Sequence, residues 1–186
     1  MKVTPLSIPD VLLIEPRIFE DARGFFFESF REDVFRKETS LNVFFVQDNH
    51  SKSFQGVFRG FHYQLPPHAQ GKLIRVIQGE VLDIAIDIRE SSPTRGQCIA
   101  EILSSDNKKQ LYIPEGFAHG FLTLSHTSEF LYKTTDFYHP ESERCILWND
   151  PTLNIKWPEN MNIELSSKDL LGQSFKSSEL FPINNK

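Results

Sequence analysis

Residues 58–89 read FRGFHYQLPPHAQGKLIRVIQGEVLDIAIDIR. The last third alternates: Leu82, Ile84, Ile86 and Ile88 fall on one side, and Val81, Asp83, Ala85 and Asp87 on the other. That period of two is the mark of a β-strand. KLIRVI before it is a second apolar run, and Gln78-Gly79-Glu80 between them predicts a tight hairpin. Working outward, further strands are expected at 11–19, 24–30, 43–50, 55–64, 98–103, 109–113, 120–124, 128–136 and 143–147, separated by turn signals such as SSPTRG, SSDNKK and PEG. Helix is scarce. FREDVFRKE sets Phe30, Val34 and Phe35 on one side and predicts two turns over 30–38; SSKDLLG predicts a short helix with Ser167 as N-cap and Gly172 as its stop. Many short antiparallel strands in one unit predict an all-β jelly-roll barrel with a few short helices, a single domain over 1–186.

Composition narrows the function classes. The chain has 186 residues, enough to bury a core unaided, and its 17 phenylalanines suit strands and a filled interior better than a helical bundle. A net charge of −5 argues against wholesale nucleic-acid binding, although a local cluster of Arg and Lys could still hold an anionic small molecule. No apolar run approaches the roughly 20 residues of a membrane span. MKVTPLSIPDVLLIEP lacks the layout of a secretory signal, so the cytoplasm is expected. Cys98 and Cys145 are far apart and outside any Cys-x-x-Cys pattern, which reads as two free thiols.

The opening stretch also resembles the first metal-binding motif of the cupin barrels, a pair of histidines followed by a glutamate and a glycine. Aligned on Gly79, the glutamate place falls on Lys72 and the histidine places on Pro66 and His68. The second cupin motif is better kept in Pro114, Gly116 and His119, with Thr123 where asparagine is usual. Two histidines and a lysine do not supply the ligand set of a zinc or iron site, and an ammonium repels a dication. The expectation is a cupin-like barrel that works without a metal. His62 as a base, Lys72 as a cation and Tyr132 as a phenol, facing one cavity, would suit enolisation of a carbonyl compound. Alternation puts Gly60, His62 and Gln64 on one face of their strand, and Arg59, Phe61 and Tyr63 on the other.

Taken together, DARGFFFES, QDNHS, GVFRGFHYQ, KLIRVIQGEVLDIAIDIR, IPEGFAHGF, YKTTDFYHPESE and LSSKD give the chain a resemblance to the dTDP-4-dehydrorhamnose 3,5-epimerases along nearly its whole length. That resemblance implies a cofactor-free, homodimeric jelly roll with exchanged N-terminal strands. It implies a substrate, dTDP-4-keto-6-deoxyglucose, inverted at the two carbons flanking its ketone, on the way to dTDP-L-rhamnose. It implies His62 as base, oriented by Asp169, Tyr132 as acid on the opposite face, and Lys72 as the stabiliser of the enolate oxygen. Arg23, Arg59 and Lys168 would meet the diphosphate and ribose; Glu28, Gln47, Asp48 and Asn49 would also contact the nucleotide. His119 and Glu143 would line the sugar and phosphate region, and Tyr138 would stack on the thymine.

Each of these residues has an ordinary reading as well. A strand histidine is commonly structural, Lys72 alone could be solvated, Tyr132 beside Phe130 and Leu131 could be core, and Asp169 could serve a helix start through the dipole. Three rivals follow: an epimerase acting at one carbon or on a related nucleotide sugar, a non-catalytic barrel that binds a sugar nucleotide, and a metal-dependent cupin oxygenase. A base and an acid have no use in a binding module, and Lys72 and Pro66 oppose the oxygenase.

Overall fold

The computed structural model describes residues 1–182; the last four residues of the expected 1–186 domain lie outside the described residues. The strands are β1 (Lys2–Pro5), β2 (Leu12–Glu15), β3 (Phe19–Asp21), β4 (Gly24–Phe26), β5 (Gln47–Phe54), β6 (Phe58–Gln64), β7 (Lys72–Gln78), β8 (Glu80–Asp87), β9 (Cys98–Ser104), β10 (Gln110–Ile113), β11 (Phe117–Thr123), β12 (Thr127–Thr134) and β13 (Glu143–Cys145). One helix, α1, spans Glu32–Thr39, and a 3₁₀ turn spans Asp169–Leu171. Two sheets carry the fold: a six-stranded sheet in the order β1-β2-β10-β7-β12-β5 and a five-stranded sheet in the order β13-β6-β11-β8-β9. Strands β3 and β4 form a separate two-stranded ribbon.

The core is layered. Between the sheets, Leu13, Ile74, Val76, Leu111, Ile113 and Phe130 of one meet Val81, Ala85, Ile99, Leu103, Phe117 and Phe121 of the other. Phe121 stacks on Phe130 across the gap with ring centroids 3.9 Å apart, tying the sheets together at mid-barrel. The outer face of the five-stranded sheet is covered by the C-terminal segment: Phe58, Phe61, Ile84, Ile86 and Ile88 pack against Trp148, Trp157, Phe175 and Phe181. The outer face of the six-stranded sheet is covered by α1, where Phe35 packs with Leu12, Ile14, Leu73 and Tyr112. Acidic residues open α1 and basic ones close it, in keeping with its dipole.

The expected jelly roll is present, with antiparallel pairing throughout the two sheets. Several local expectations differ. The hairpin at Gln78-Gly79-Glu80 is not one: β7 pairs with β10 and β12, whereas β8 pairs with β9 and β11, so the turn is a corner carrying the chain from one sheet to the other. A Cβ on Gly79 (φ +75°) would lie 2.0 Å from the Thr127 carbonyl oxygen, so this corner requires glycine. Alternation identifies a strand but not the sheet it joins. The expected strand at 11–19 divides into β2 and β3, the one at 43–50 lies later as β5, and 24–30 shortens to β4. Strand β1 was not expected, and α1 starts and ends later than 30–38. At the 3₁₀ turn the N-cap position is Lys168 rather than Ser167, and the serine that holds the turn is Ser166: its hydroxyl accepts from the Asp169 amide at 3.1 Å and donates to the Asp169 carboxylate at 2.8 Å.

Candidate active site

A cavity of about 320 Å³ opens between the sheets, with Arg59, His62, Lys72, His119, Tyr132, Tyr138, Glu143, Lys168 and Asp169 among its lining residues. That volume is in the usual range for a small-molecule pocket, about 300–1,000 Å³. Phe121 and Phe130 form part of its lining, so the stacked pair between the sheets serves as its apolar side.

One wall belongs to the five-stranded sheet. His62 stands on β6 and pairs directly with His119 on β11 and with Cys145 on β13. Arg59 shares the cavity with His62, against the expected alternation. The reason is an irregularity: His119 opposes His62, but Phe121 opposes Arg59, so three residues of β6 match two of β11. The extra residue restores the alternation one step out of phase and turns Phe58, Phe61 and Tyr63 to the outer core together. Gly60 (φ +139°) sits at this point, where a Cβ would come within 2.5 Å of the Gly120 Cα.

His62 Nε2 donates to Asp169 Oδ1 at 2.6 Å. Asp169 is buried, 3% exposed, which by itself would raise its carboxyl; the bonds from His62 and Ser166 outweigh this and hold it below the usual carboxylate range. With the proton of a neutral imidazole fixed on Nε2, the lone pair resides on Nδ1. His119 is held likewise, its Nε2 2.9 Å from Asp83 Oδ2 and both residues buried.

The other wall belongs to the six-stranded sheet. Lys72 opens β7 and Tyr132 lies on β12, where Thr134 pairs with Lys72 and Tyr132 with Ile74, so both side chains share the inner face. Lys72 is 6% exposed and, among the described residues, makes no ion pair. Burial pushes its ammonium down to about 8, while the charges of Asp83 and Glu143 oppose the fall. Burial, followed by the charge of Glu143, raises the Tyr132 phenol, which stays protonated at neutral pH.

The mouth carries Tyr138, Glu143 and Lys168. Tyr138 is half-exposed, and its hydroxyl donates to Glu143 Oε2 at 2.7 Å; Lys168 donates to the same oxygen. Burial would raise Glu143, but these two donors hold it below its ordinary range. Gln47 accepts from the Tyr138 amide at 3.1 Å and donates to Asn49, and Asn49 pairs with Tyr132 across β5 and β12.

Five expected nucleotide contacts, Arg23, Glu28, Gln47, Asp48 and Asn49, are not among the residues lining this cavity. Asp48 points to the opposite face of β5, where it pairs with Lys133 at 2.7 Å. Glu28 lies beside Arg31, and Arg23 is held by Asp21 on the exposed β3–β4 ribbon. Conversely, Ser51 lines the cavity with its hydroxyl buried and unpartnered among the described residues. Its signal was the period of two that makes Gln47, Asn49, Ser51 and Ser53 one face, available once the bounds of β5 are right.

Comparison with known proteins gives a consistent family match. The family model described as dTDP-4-dehydrorhamnose 3,5-epimerase matches residues 5–177. An enzyme of that name from Pseudomonas aeruginosa is 57% identical over 182 residues, covering 98% of this chain and 100% of its own. Its Shigella flexneri namesake is 56% identical, covering 97% of this chain and 99% of its own. Among solved structures, dTDP-6-deoxy-D-glucose-3,5-epimerase from Legionella pneumophila, in complex with dTDP-4-keto-L-rhamnose, superimposes with a TM-score of 0.95 at 45% identity over 98% of each chain. A 3'-monoepimerase from Streptomyces bikiniensis, in complex with dTDP-quinovose, gives a TM-score of 0.90 at 31% identity, covering 98% of this chain and 92% of its own.

Proposed function

The chain belongs to the dTDP-4-dehydrorhamnose 3,5-epimerase family, and on that premise we propose that it inverts C3 and C5 of dTDP-4-keto-6-deoxy-D-glucose, giving dTDP-4-keto-L-rhamnose for dTDP-L-rhamnose synthesis. One observation carries the reading. A histidine held by a buried carboxylate and a protonated tyrosine stand on opposite sheets of one cavity. Nδ1 of His62 takes the proton from the carbon next to the ketone. The Lys72 ammonium, in a buried setting where charge counts for more than in water, stabilises the oxygen as it becomes an enolate. Tyr132 delivers a proton to the other face of the carbon. Neither group can do both jobs, because inversion needs removal and delivery on opposite sides.

Arg59, Lys168, His119 and Glu143 surround the remaining space, Gln47 stands against the Tyr138 backbone beside it, and the half-exposed Tyr138 ring at the mouth offers a stacking surface for the base. Arg23 and Glu28 reach a nucleotide only if a second copy supplies them, which fits a homodimer with exchanged N-terminal segments. Phe25 and Phe26 on the β3–β4 ribbon are 59% and 67% exposed, a surface that a partner would cover. No helix among the described residues is long and apolar enough to cross a membrane. A nucleotide-activated substrate and two free thiols suit the cytoplasm.

The experiment is NMR of dTDP-4-keto-6-deoxyglucose with the enzyme in heavy water. Deuterium should enter at both carbons with inversion at each. Exchange at one carbon alone would make this a monoepimerase, and binding without exchange would make it a non-catalytic barrel.

A further inference from the structure

Register places Cys145 directly opposite His62 on neighbouring strands, with side chains on the same face of the sheet. Asp169 arrives from the 3₁₀ turn to close a triangle. One nitrogen of His62, the sulfur of Cys145 and one oxygen of Asp169 all lie within 4.8 Å of one another. The proposed epimerisation makes no use of the thiol. We propose that His62, Cys145 and Asp169 form a three-ligand site for a thiophilic divalent cation of the zinc class, and that occupation of this site switches the enzyme off.

Imidazole, thiolate and carboxylate are the donor types zinc favours, with bonds of about 2.0–2.3 Å; three protein ligands leave a fourth position for water. A tetrahedral ion needs its ligand atoms roughly 3.3–3.8 Å apart, so the His62–Asp169 pair, at 2.6 Å, must open by a small side-chain movement. The thiol proton leaves to solvent as the metal–sulfur bond forms. Burial, Asp169 and Glu143 together push the free thiol up to about 12, which opposes that loss. The same two carboxylates attract a dication, and the nearby Lys168 is already engaged by Glu143.

Inhibition follows from imidazole chemistry. Whichever ring nitrogen the metal takes, the other carries the proton, and no lone pair remains for the substrate. The Asp169 carboxylate is diverted from His62 at the same time. Two other places invite a metal. The cupin position holds the Lys72 ammonium. The cluster of His68, Asp136 and His139 has its two imidazoles stacked 13° from parallel with centroids 3.4 Å apart, which keeps their lone pairs side by side rather than convergent.

The inhibition rests on His62 being the base, whereas the site itself does not, so the test reads binding and turnover separately. Cobalt(II) is added to the intact protein as a spectroscopic probe, and turnover is followed in zinc-buffered solution. Wild type should show a thiolate-to-cobalt absorption band in the near ultraviolet. It should lose turnover with zinc and recover it with a chelator. Cys145→Ala and Cys145→Ser should turn over normally without metal, lack the band, and need at least about tenfold more zinc for the same inhibition, since even groups that merely support a ligand are worth about 10- to 100-fold in metal affinity. His68→Asn should leave zinc sensitivity unchanged. Absence of the cobalt band in wild type, equal zinc sensitivity in the Cys145 variants, or loss of sensitivity in His68→Asn would overturn the proposal. A cobalt band with undiminished turnover would leave the metal site standing, overturn its inhibitory effect, and remove His62 from the base role.

Discussion

His62 stands on β6 and depends on a carboxylate 107 residues further along the chain, whereas Lys72 and Tyr132 stand on adjacent strands of a single sheet. The two walls are therefore assembled differently. The histidine wall needs a bulged strand to aim Arg59 and His62 together, a C-terminal turn to bring in Asp169, and Ser166 to hold that turn. The lysine wall needs only register, since the pairing of β7 with β12 sets both side chains on the inner face. What differs is where the properties of each group originate. The tautomer of His62 comes from a hydrogen bond, which one substitution can remove. The low ammonium pKa of Lys72 and the raised phenol pKa of Tyr132 come mainly from burial, which belongs to the barrel as a whole.

The largest effect should come from setting one wall against the other. His62→Ala should abolish deuterium exchange and inversion alike, by about 10²- to 10⁴-fold or more. Tyr132→Phe should keep exchange while losing most inversion, because the enolate still forms and returns through His62 on the original face. NMR in heavy water separates the two, and equal loss of both in Tyr132→Phe would reverse the assignment of acid and base.

Next comes Asp169→Asn, which keeps the volume but can donate to His62 instead of accepting from it. The lone pair then points the wrong way, and kcat should fall by roughly 10²-fold or more, with dTDP affinity by calorimetry little changed. A comparable loss of dTDP affinity would mean that Asp169 acts by shaping the binding surface.

The pH profile tests the other wall. Burial lowers the Lys72 pKa to about 8, so the cation is present below that pH and lost above it. In the free enzyme kcat/KM should therefore fall as pH rises through about 8, reporting one proton. A profile flat to the range of an ordinary lysine, about 10.4, would take the charge of Lys72 out of the mechanism.

The smallest effect is expected at Ser51. Its unpartnered hydroxyl offers one hydrogen bond to a bound ligand, a contribution of about 0.5–1.5 kcal/mol. Ser51→Ala should raise KM by about two- to tenfold with kcat nearly unchanged. An unaltered KM would mean that the hydroxyl makes no bond to substrate.

Local pattern carried a good deal of this structure. Alternation located most strands, and residue types in short motifs pointed to His62, Lys72, Tyr132 and Asp169, which the fold brings into one cavity. Asp48 shows the limit: motif membership places it beside Gln47 and Asn49, but a strand turns neighbours to opposite faces, and Asp48 faces Lys133 instead. Arg59 shows the reverse, since one extra residue at Gly60 returned it to the side of His62.

By itself, then, the sequence determined an all-β barrel, the residue types that meet in its cavity and its family, because periodicity and motif composition are properties of neighbours along the chain. Tertiary structure decided that Gly79 turns a corner between sheets, that His62 and Tyr132 come from opposite walls, that Ser166 rather than Ser167 holds the 3₁₀ turn, and that Cys145 stands against His62. Those outcomes depend on which strands pair, in what register, and on how deeply each group is withdrawn from water. Pairing and burial are settled between distant segments, and a linear pattern with a period of two is the same whichever partner a strand finds.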